Sequence, residues 1–217
     1  MGKRLTAKKS TEISLEICSL TPVIPVLSVF EVEDAIPLAK ALVQGGLNVI
    51  EVTLRTPNAL KVVEEMSKVK DAIVGVGTLL NKQDVENATK VGAQFGVSPG
   101  ITEDLLEACE ANGLPLLGGV CSISEIMKML DRGYRLFKFF PAEASGGADA
   151  LKAIGAPIPH ALFCPTGGIS PKNIKDYMAL DNVVCVGGSW MATPEMIRNK
   201  KWAEIFNQAN YVAKLGL

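Results

Sequence analysis

Eight short apolar segments recur along the chain, and a segment with helical periodicity separates each from the next. They cover residues 23–29, 47–53, 72–78, 94–98, 115–119, 135–143, 161–165 and 183–188. This alternation indicates an α/β fold, because consecutive parallel strands need a helical crossover between them. Eight parallel strands can close into a (β/α)8 TIM barrel, and 217 residues lies near the lower size limit of that fold. We therefore predict a parallel eight-stranded barrel, with a doubly wound open sheet as the alternative.

The chain has no linker, low-complexity segment or shift in composition, so we predict a single domain over residues 1–217. Ser10 and Thr11 are suitable caps for an extra N-terminal helix that carries Ile13 and Ile17 on one face. Residues 1–10 would then form a flexible N-terminal arm. The arm is basic but no apolar stretch follows it, so it does not resemble a signal peptide.

Composition excludes several classes of function. The net charge is −1 with both signs interspersed, so we expect no nucleic acid partner and no membrane partner. No apolar run approaches the roughly 20 residues that cross a bilayer. The five cysteines are scattered, which is typical of reduced thiols in a cytoplasmic protein and argues against a zinc site. His160 is the single histidine, so a histidine-rich metal site is excluded. It lies in a loop-like segment rich in glycine and proline, so we expect no Ser-His-Asp triad.

The sixth apolar segment contains a lysine, Lys138, between Phe137 and Phe139. Lysine is almost never fully buried unless another group pairs with it or uses it. Burial favours the neutral amine, which is a nucleophile towards carbonyl carbon. The alternative is a strand-end lysine whose stem packs while its amine reaches water. The segment by itself does not distinguish the two.

The second segment contains a carboxylate, Glu51. Active sites of barrels lie at the carboxyl ends of the strands. Alternate residues of a strand point to the same side, so Glu51, Thr53 and Arg55 would all point towards the barrel axis or the barrel mouth. Glu51 and Lys138 are therefore candidate catalytic residues, with a structural ion pair as the alternative. Arg55 is suited to holding a carboxylate in two hydrogen bonds. The hydroxyl of Thr78 is suited to a substrate oxygen, although threonine at a strand end is also a common helix cap.

Paired glycines follow the last two segments. Thr166, Gly167 and Gly168 come after the seventh segment, and Gly188 and Ser189 lie at the end of the eighth. Glycines allow backbone N–H groups to approach an anion closely, and barrels frequently bind phosphate with these two loops. The pattern predicts a phosphate site, whereas either glycine pair alone is typical of an ordinary tight turn.

Five motifs together resemble the 2-keto-3-deoxy-6-phosphogluconate (KDPG) aldolase and 4-hydroxy-2-oxoglutarate aldolase family. They are E-V-T-L-R at 51–55, G-V-G-T at 75–78, S-P-G at 98–100, F-K-F-F-P-A-E at 137–143 and C-P-T-G-G-I-S at 164–170. The likeness spans essentially the whole chain. The motifs around Glu51 and Lys138 are more specific than the glycine turns.

The resemblance implies a class I (Schiff-base) aldolase of the Entner–Doudoroff pathway that needs no metal or organic cofactor and usually forms a homotrimer. Its substrate would be KDPG, cleaved reversibly to pyruvate and glyceraldehyde 3-phosphate, with 4-hydroxy-2-oxoglutarate as a poorer substrate. Lys138 would be the Schiff-base lysine and Glu51 the general acid/base. The implied substrate-binding residues are Arg55 and Thr78 for the carboxylate, Pro99 and Phe140 for the pocket wall, and Thr166, Gly167, Gly168, Gly188 and Ser189 for the phosphate.

Cys121 and Ser122 depart from the family pattern, which commonly has serine and threonine at these positions. A different preference for the aldehyde half of the substrate would follow if they lie near the mouth. Three other interpretations stay open at this point. They are a KDPGal-type aldolase acting on the C4 epimer, a non-covalent sugar-phosphate isomerase or epimerase with Glu51 as base, and a non-enzymatic phosphosugar-binding barrel.

Overall fold

The computed structural model describes residues 4–216 of the chain. Within this range the chain forms nine short strands, and each of the eight predicted apolar segments contains at least one. Most strands are fully buried, which fits their content of valine, isoleucine and leucine. The strands are β1 Val23–Leu27, β2 Val49–Thr53, β3 Ile73–Gly77, β4 Phe95–Val97, β5 Leu116–Leu117, β6 Gly119–Val120, β7 Leu136–Phe139, β8 Leu162–Pro165 and β9 Val186–Gly188.

The prediction of a closed eight-stranded TIM barrel is wrong. Six strands form one parallel half-barrel sheet in the order β5-β4-β3-β2-β1-β9, and three form a second sheet in the order β6-β7-β8. The fifth predicted strand is divided at Gly118, so that β5 pairs with β4 while β6 pairs with β7. Between β8 and β9 the described residues form only two isolated bridges, at Phe163 and at Thr166.

The division has a local physical cause. Gly118 and Gly119 lack the side chains that stabilise a strand, and glycine permits close approach of another backbone. A Cβ on Gly119 would lie 2.3 Å from the carbonyl carbon of Pro99. The backbone after β4 therefore packs directly on β6 at the point where the sheet is interrupted.

Ten α-helices alternate with the strands within residues 4–216. Several begin at side chains that accept a backbone N–H, including Asn81, Thr102 and Ser122, which forms a capping box with Glu125. They are α1 Ala7–Cys18, α2 Ala35–Gln44, α3 Ala59–Met66, α4 Lys82–Lys90, α5 Glu103–Asn112, α6 Ile123–Arg132, α7 Gly147–Gly155, α8 Ile174–Met178, α9 Pro194–Arg198 and α10 Trp202–Ala213.

Helix α1 begins earlier than the sequence predicted. Thr6 caps it, so residues 7–10, which were predicted to lie in a flexible arm, are helical. Ser10 and Thr11 instead face the strands: Ser10 Oγ accepts the Leu116 N–H at 3.0 Å, and Thr11 Oγ1 accepts the Arg135 N–H at 3.2 Å. Because these N–H groups lie at the amino ends of β5 and β7, α1 covers the end of the sheets opposite the carboxyl ends.

Two apolar clusters form the core of residues 4–216. The larger one lies between the sheets and the helices. The smaller one includes Ile24, Val49 and Leu136. Val49 and Leu136 each precede a charged residue, Glu51 or Lys138, by two positions, and residues two apart on a strand share a face. The smaller cluster is therefore an apolar base beneath both charges. No helix of residues 4–216 is long and apolar enough to cross a bilayer.

Candidate active site

A cavity of about 260 Å³ lies at the carboxyl ends of the strands. Its walls include every residue that the sequence predicted for the site. These residues come from strands β2, β7 and β9 and from the turns after β2, β3, β4, β7, β8 and β9. The lining residues are Val26, Glu51, Thr53, Arg55, Thr78, Pro99, Lys138, Phe140, Thr166, Gly167, Gly168, Ile169, Gly187, Gly188 and Ser189.

Lys138 and Glu51 meet at the base of the cavity. Lys138 Nζ lies 3.4 Å from Glu51 Oε1, and the two side chains are 7% and 4% exposed. Lys138 Nζ also lies 5.3 Å from the centroid of the Phe140 ring. The amine therefore does not extend to bulk water, which removes one alternative for Lys138. A buried ion pair of this kind contributes little net stability, because desolvation of both charges offsets their attraction.

Strand β3 leaves room for the carboxylate. Glu51 on β2 is in register with Gly75, and Thr53 is in register with Gly77. A Cβ on Gly77 would lie only 2.1 Å from Glu51 Oε1. Position 77 therefore requires a glycine because the Glu51 carboxylate occupies the space that a Cβ would need. The backbone conformation of Gly77 does not itself require glycine.

Arg55 reaches the cavity from the loop after β2. Its Nε–H donates to Thr53 Oγ1 at 3.0 Å. The Arg55 side chain is exposed at the mouth, whereas Thr53 is buried. The guanidinium therefore lies at the edge of the cavity with one N–H already engaged.

Thr78 follows β3 in a strained conformation. Its φ is 67°, in the left-handed region that β-branched residues rarely adopt. The N-cap of α4 is Asn81, whose side chain accepts the Asp84 N–H, so Thr78 is not the helix cap. Strain of this kind persists where the surrounding structure enforces it, and it clusters at functional sites.

The glycine turns form the other end of the cavity. Gly167 and Gly168 have φ values of 104° and 79°, which favour glycine. Among residues 4–216, the N–H groups of Gly168 and Ser189 have no hydrogen-bond acceptor. Such unpaired backbone donors attract an anion. Gly187 contacts the neighbouring turn, because a Cβ there would lie 2.3 Å from Thr166 Oγ1.

Glu143 and Tyr177 support the first of these turns from behind. The Glu143 N–H donates to the Gly167 carbonyl at 3.1 Å, and a Cβ on Gly168 would lie 2.5 Å from Glu143 Cγ. The Tyr177 hydroxyl donates to the Glu143 carboxylate. Burial, together with this carboxylate, raises the pKa of Tyr177.

Cys121 and Ser122 lie outside the cavity lining. Ser122 Oγ accepts the Glu125 N–H at 3.3 Å and caps α6. Cys121 is exposed, and the pKa of its thiol is raised by loss of solvation on its protein-facing side and by the Glu125 carboxylate. The departure from the family pattern therefore affects the start of a helix and not the cavity wall. In the described part of the chain, no cluster of three or more His, Cys, Asp or Glu side chains is arranged to hold a metal ion.

Four lining residues, Val26, Thr53, Ile169 and Gly187, were not predicted for the site. Thr53 shares the parity of Glu51, and Gly187 belongs to a glycine pair of which only Gly188 was chosen. The alternation of side chains along β2 could therefore have predicted Thr53 as a lining residue. Val26 and Ile169 are ordinary apolar residues that carry no such signal.

Comparison with known proteins identifies the family of this chain. The model of the KDPG and KHG aldolase family matches residues 15–208. A 2-dehydro-3-deoxy-phosphogluconate aldolase of Pseudoalteromonas atlantica is 50% identical over 193 residues, which cover 88% of this chain and 90% of that protein. A KHG/KDPG aldolase of Escherichia coli is 50% identical over 182 residues, covering 83% and 85%.

A solved structure extends the comparison to the fold. The KDPG aldolase of Legionella pneumophila, crystallised with pyruvate captured at low pH as a covalent carbinolamine intermediate, superposes with a TM-score of 0.89. Its sequence is 45% identical, and the match covers 92% of this chain and 98% of that chain.

Proposed function

The chain belongs to the KDPG and KHG aldolase family, and we propose that it cleaves 2-dehydro-3-deoxy-6-phosphogluconate through a Schiff base on Lys138. It is a carbon–carbon lyase of class I, and the products are pyruvate and glyceraldehyde 3-phosphate, formed reversibly. The observation that carries the proposal is the buried contact of 3.4 Å between Lys138 Nζ and Glu51 Oε1 inside the cavity.

Lys138 supplies the nucleophile. Glu51 takes one proton from the Lys138 ammonium, and the neutral amine attacks the C2 ketone of the substrate to form a C–N bond. The carbinolamine hydroxyl then takes that proton back from Glu51 and leaves as water, so that an iminium remains and Glu51 is again a carboxylate. This cation accepts the electron pair of the C3–C4 bond when that bond breaks. The product of cleavage is an enamine on Lys138. The apolar base beneath the amine limits competing contact with water.

Glu51 moves the protons. Its carboxylate removes the C4 hydroxyl proton, so that the C4 oxygen becomes an aldehyde carbonyl as the C3–C4 bond breaks. The same proton is then delivered to C3 of the enamine, and hydrolysis of the iminium releases pyruvate. Glu51 is 3% exposed and within hydrogen-bond distance of the amine, which suits a group that serves both halves of the reaction.

The two ends of the cavity hold the two ends of the substrate. Arg55 and Thr78 bind the carboxylate of the pyruvoyl half, and Pro99 and Phe140 flank it. The phosphate binds the unpaired N–H groups of the glycine turns together with Thr166 and Ser189. Binding energy from this remote group fixes the reacting carbon beside Lys138.

Two finer points belong to the same proposal. The shorter 4-hydroxy-2-oxoglutarate, which yields pyruvate and glyoxylate, is a poorer substrate because it lacks the phosphate. The active protein is a homotrimer, as the family resemblance implies, and light scattering of the purified chain tests that mass.

Borohydride trapping tests the proposal directly. Wild-type protein is incubated with pyruvate, reduced with sodium borohydride, digested and analysed by mass spectrometry. We expect a reduced pyruvyl adduct on the peptide that contains Lys138. Lys138→Ala should lose both the adduct and the aldolase activity, whereas the surface variant Lys61→Ala retains both. Full activity in Lys138→Ala, or no adduct in the wild type, would contradict the proposal and favour a non-covalent isomerase or a binding protein.

A further inference from the structure

The guanidinium of Arg55 is held by one neighbour. Its Nε–H donates to Thr53 Oγ1 at 3.0 Å, and no hydrogen bond or ion pair within residues 4–216 engages its two terminal nitrogens. An arginine binds a carboxylate most strongly through two parallel N–H groups. Engagement of Nε by Thr53 leaves both terminal nitrogens available for such a pair.

The hydroxyl of Thr53 is itself fixed in orientation. It donates its one proton to the Leu27 carbonyl at 2.7 Å, so its lone pairs remain for acceptance. One receives the Arg55 N–H. Ser28 Oγ lies 3.2 Å from the same oxygen and must be the donor, since the Thr53 proton is already used. Thr53 is 2% exposed, so water does not compete for these bonds.

The loop that carries Arg55 is joined to the neighbouring loop by similar bonds. Thr56 Oγ1 donates to the Val29 carbonyl at 2.6 Å, and Asn58 Nδ2 donates to the Phe30 carbonyl at 2.8 Å. Of the side chains in this series, Thr53 is the one that also contacts the guanidinium. Its effect on Arg55 can therefore be separated from a general loosening of the loop.

We propose that Thr53 is a positioning residue for the aldolase reaction, which orients Arg55 so that both terminal nitrogens face the carboxylate of the 2-keto acid. This inference rests on the proposed role of Arg55 in binding that carboxylate. Without the Thr53 hydroxyl, the exposed Arg55 side chain samples other rotamers. The substrate must then fix this side chain when it binds, and the loss of side-chain entropy lowers the affinity for the substrate. The loss acts on binding of the pyruvoyl half and much less on the later proton transfers.

Thr53→Val tests the inference because valine keeps the β-branched shape and removes only the polar atom. The measured quantity is the pyruvate concentration that half-saturates borohydride trapping at Lys138. We expect it to rise about 10- to 100-fold, the loss typical of a hydrogen bond to a charged group. Thr53→Ser should restore it to within about threefold of the wild type. The kcat at saturating substrate should fall less than KM rises.

Two further variants separate positioning from a structural effect. Thr56→Val removes a buried hydroxyl-to-carbonyl bond of the same loop, and the Thr56 hydroxyl makes no hydrogen bond with Arg55 among residues 4–216. The effect of this variant on half-saturation should therefore be much smaller. In an Arg55→Ala background, Thr53→Val should cause no additional loss, because the group through which Thr53 acts is absent.

The outcomes are distinguishable. An equal effect of Thr53→Val and Thr56→Val, an undiminished effect in the Arg55→Ala background, or no effect at all would overturn the inference while leaving the proposed function in place. Absence of any pyruvyl adduct in the wild type would overturn the proposed function and this inference together.

Discussion

The two ends of the cavity differ in the groups that supply their charge: charged side chains at the base and backbone N–H groups at the glycine turns. At the base, two side chains of opposite charge, Glu51 and Lys138, are held on β2 and β7 with almost no exposure. At the other end, neutral backbone N–H groups of Gly168 and Ser189 are left without acceptors among residues 4–216. The base concentrates full charges where proton transfer and C–N bond formation take place. The turns offer partial charges that suit the binding of a dianion without chemistry.

This difference predicts that substitutions at the two ends of the cavity affect the reaction in different ways. The chemistry depends on particular side-chain atoms, so isosteric changes at the base should affect kcat. Phosphate binding depends on the path of the backbone, so changes at the turns should act when a Cβ displaces the chain, and they should affect only phosphorylated substrates.

Glu51→Gln should have the largest effect of the four changes considered. Glutamine keeps the shape of the side chain but accepts no proton, so the general acid/base step is lost. We expect kcat to fall about 10²- to 10⁴-fold, with KM changing much less. Steady-state cleavage of KDPG, followed through coupled detection of pyruvate, measures it. A kcat within about twofold of the wild type would remove Glu51 from the mechanism.

Gly77→Ala should reduce kcat by about 10²-fold through displacement of the same carboxylate. The added Cβ would lie 2.1 Å from Glu51 Oε1, so Glu51 must leave its present position beside Lys138. Gly100→Ala is the matched control, since a Cβ on Gly100 meets nothing within 4 Å. Equal activity of the two variants would show that the carboxylate tolerates displacement, which would contradict the geometric requirement at the base.

Gly187→Ala should separate the phosphate end from the base. A Cβ there would lie 2.3 Å from Thr166 Oγ1, and threonine has little freedom to move away. We expect kcat/KM for KDPG to fall about tenfold while kcat/KM for 4-hydroxy-2-oxoglutarate and trapping by pyruvate change little. A parallel loss for both substrates would place Gly187 in the support of the whole cavity instead of the phosphate turn.

Sequence reasoning located the base and the turns for different reasons. Lys138 and Glu51 stand out because charges inside apolar segments are costly unless they are paired or used. The glycine pairs were predicted from their place after the last two strands. The reason for Gly77 depends on strand register, and the partner of Thr53 Oγ1 lies in another strand, so neither can be derived from spacing along the chain.

The closed barrel was wrongly predicted because closure depends on pairings between distant strands. Gly118 and Gly119 were included in one strand, although the backbone of Pro99 approaches so closely that the ladder is interrupted there. The start of α1 was misplaced for a similar reason. Ser10 is a good helix cap by composition, but its hydroxyl accepts the N–H of Leu116, more than a hundred residues away.

Tyr177→Phe should give the smallest effect and should test the support behind the phosphate turn. Loss of the hydroxyl removes the bond to Glu143, and we expect the free energy of unfolding at neutral pH to fall by about 1 kcal/mol. The exposed Tyr211 is the control, and Tyr211→Phe should change stability by less than about 0.5 kcal/mol. Denaturant unfolding across a range of pH measures both.

The wild type and Tyr177→Phe should also differ in the pH dependence of their stability. Because the pKa of Tyr177 is raised above the ordinary 10.0, the native state holds this proton more tightly than the unfolded state does. The contribution is therefore complete below about pH 10 and is lost as the pH rises further, so the wild type should approach Tyr177→Phe in stability under alkaline conditions. Parallel pH profiles for the two proteins would contradict a bonded, buried phenol, and the support of Gly167 and Gly168 would then depend on the Glu143 backbone alone.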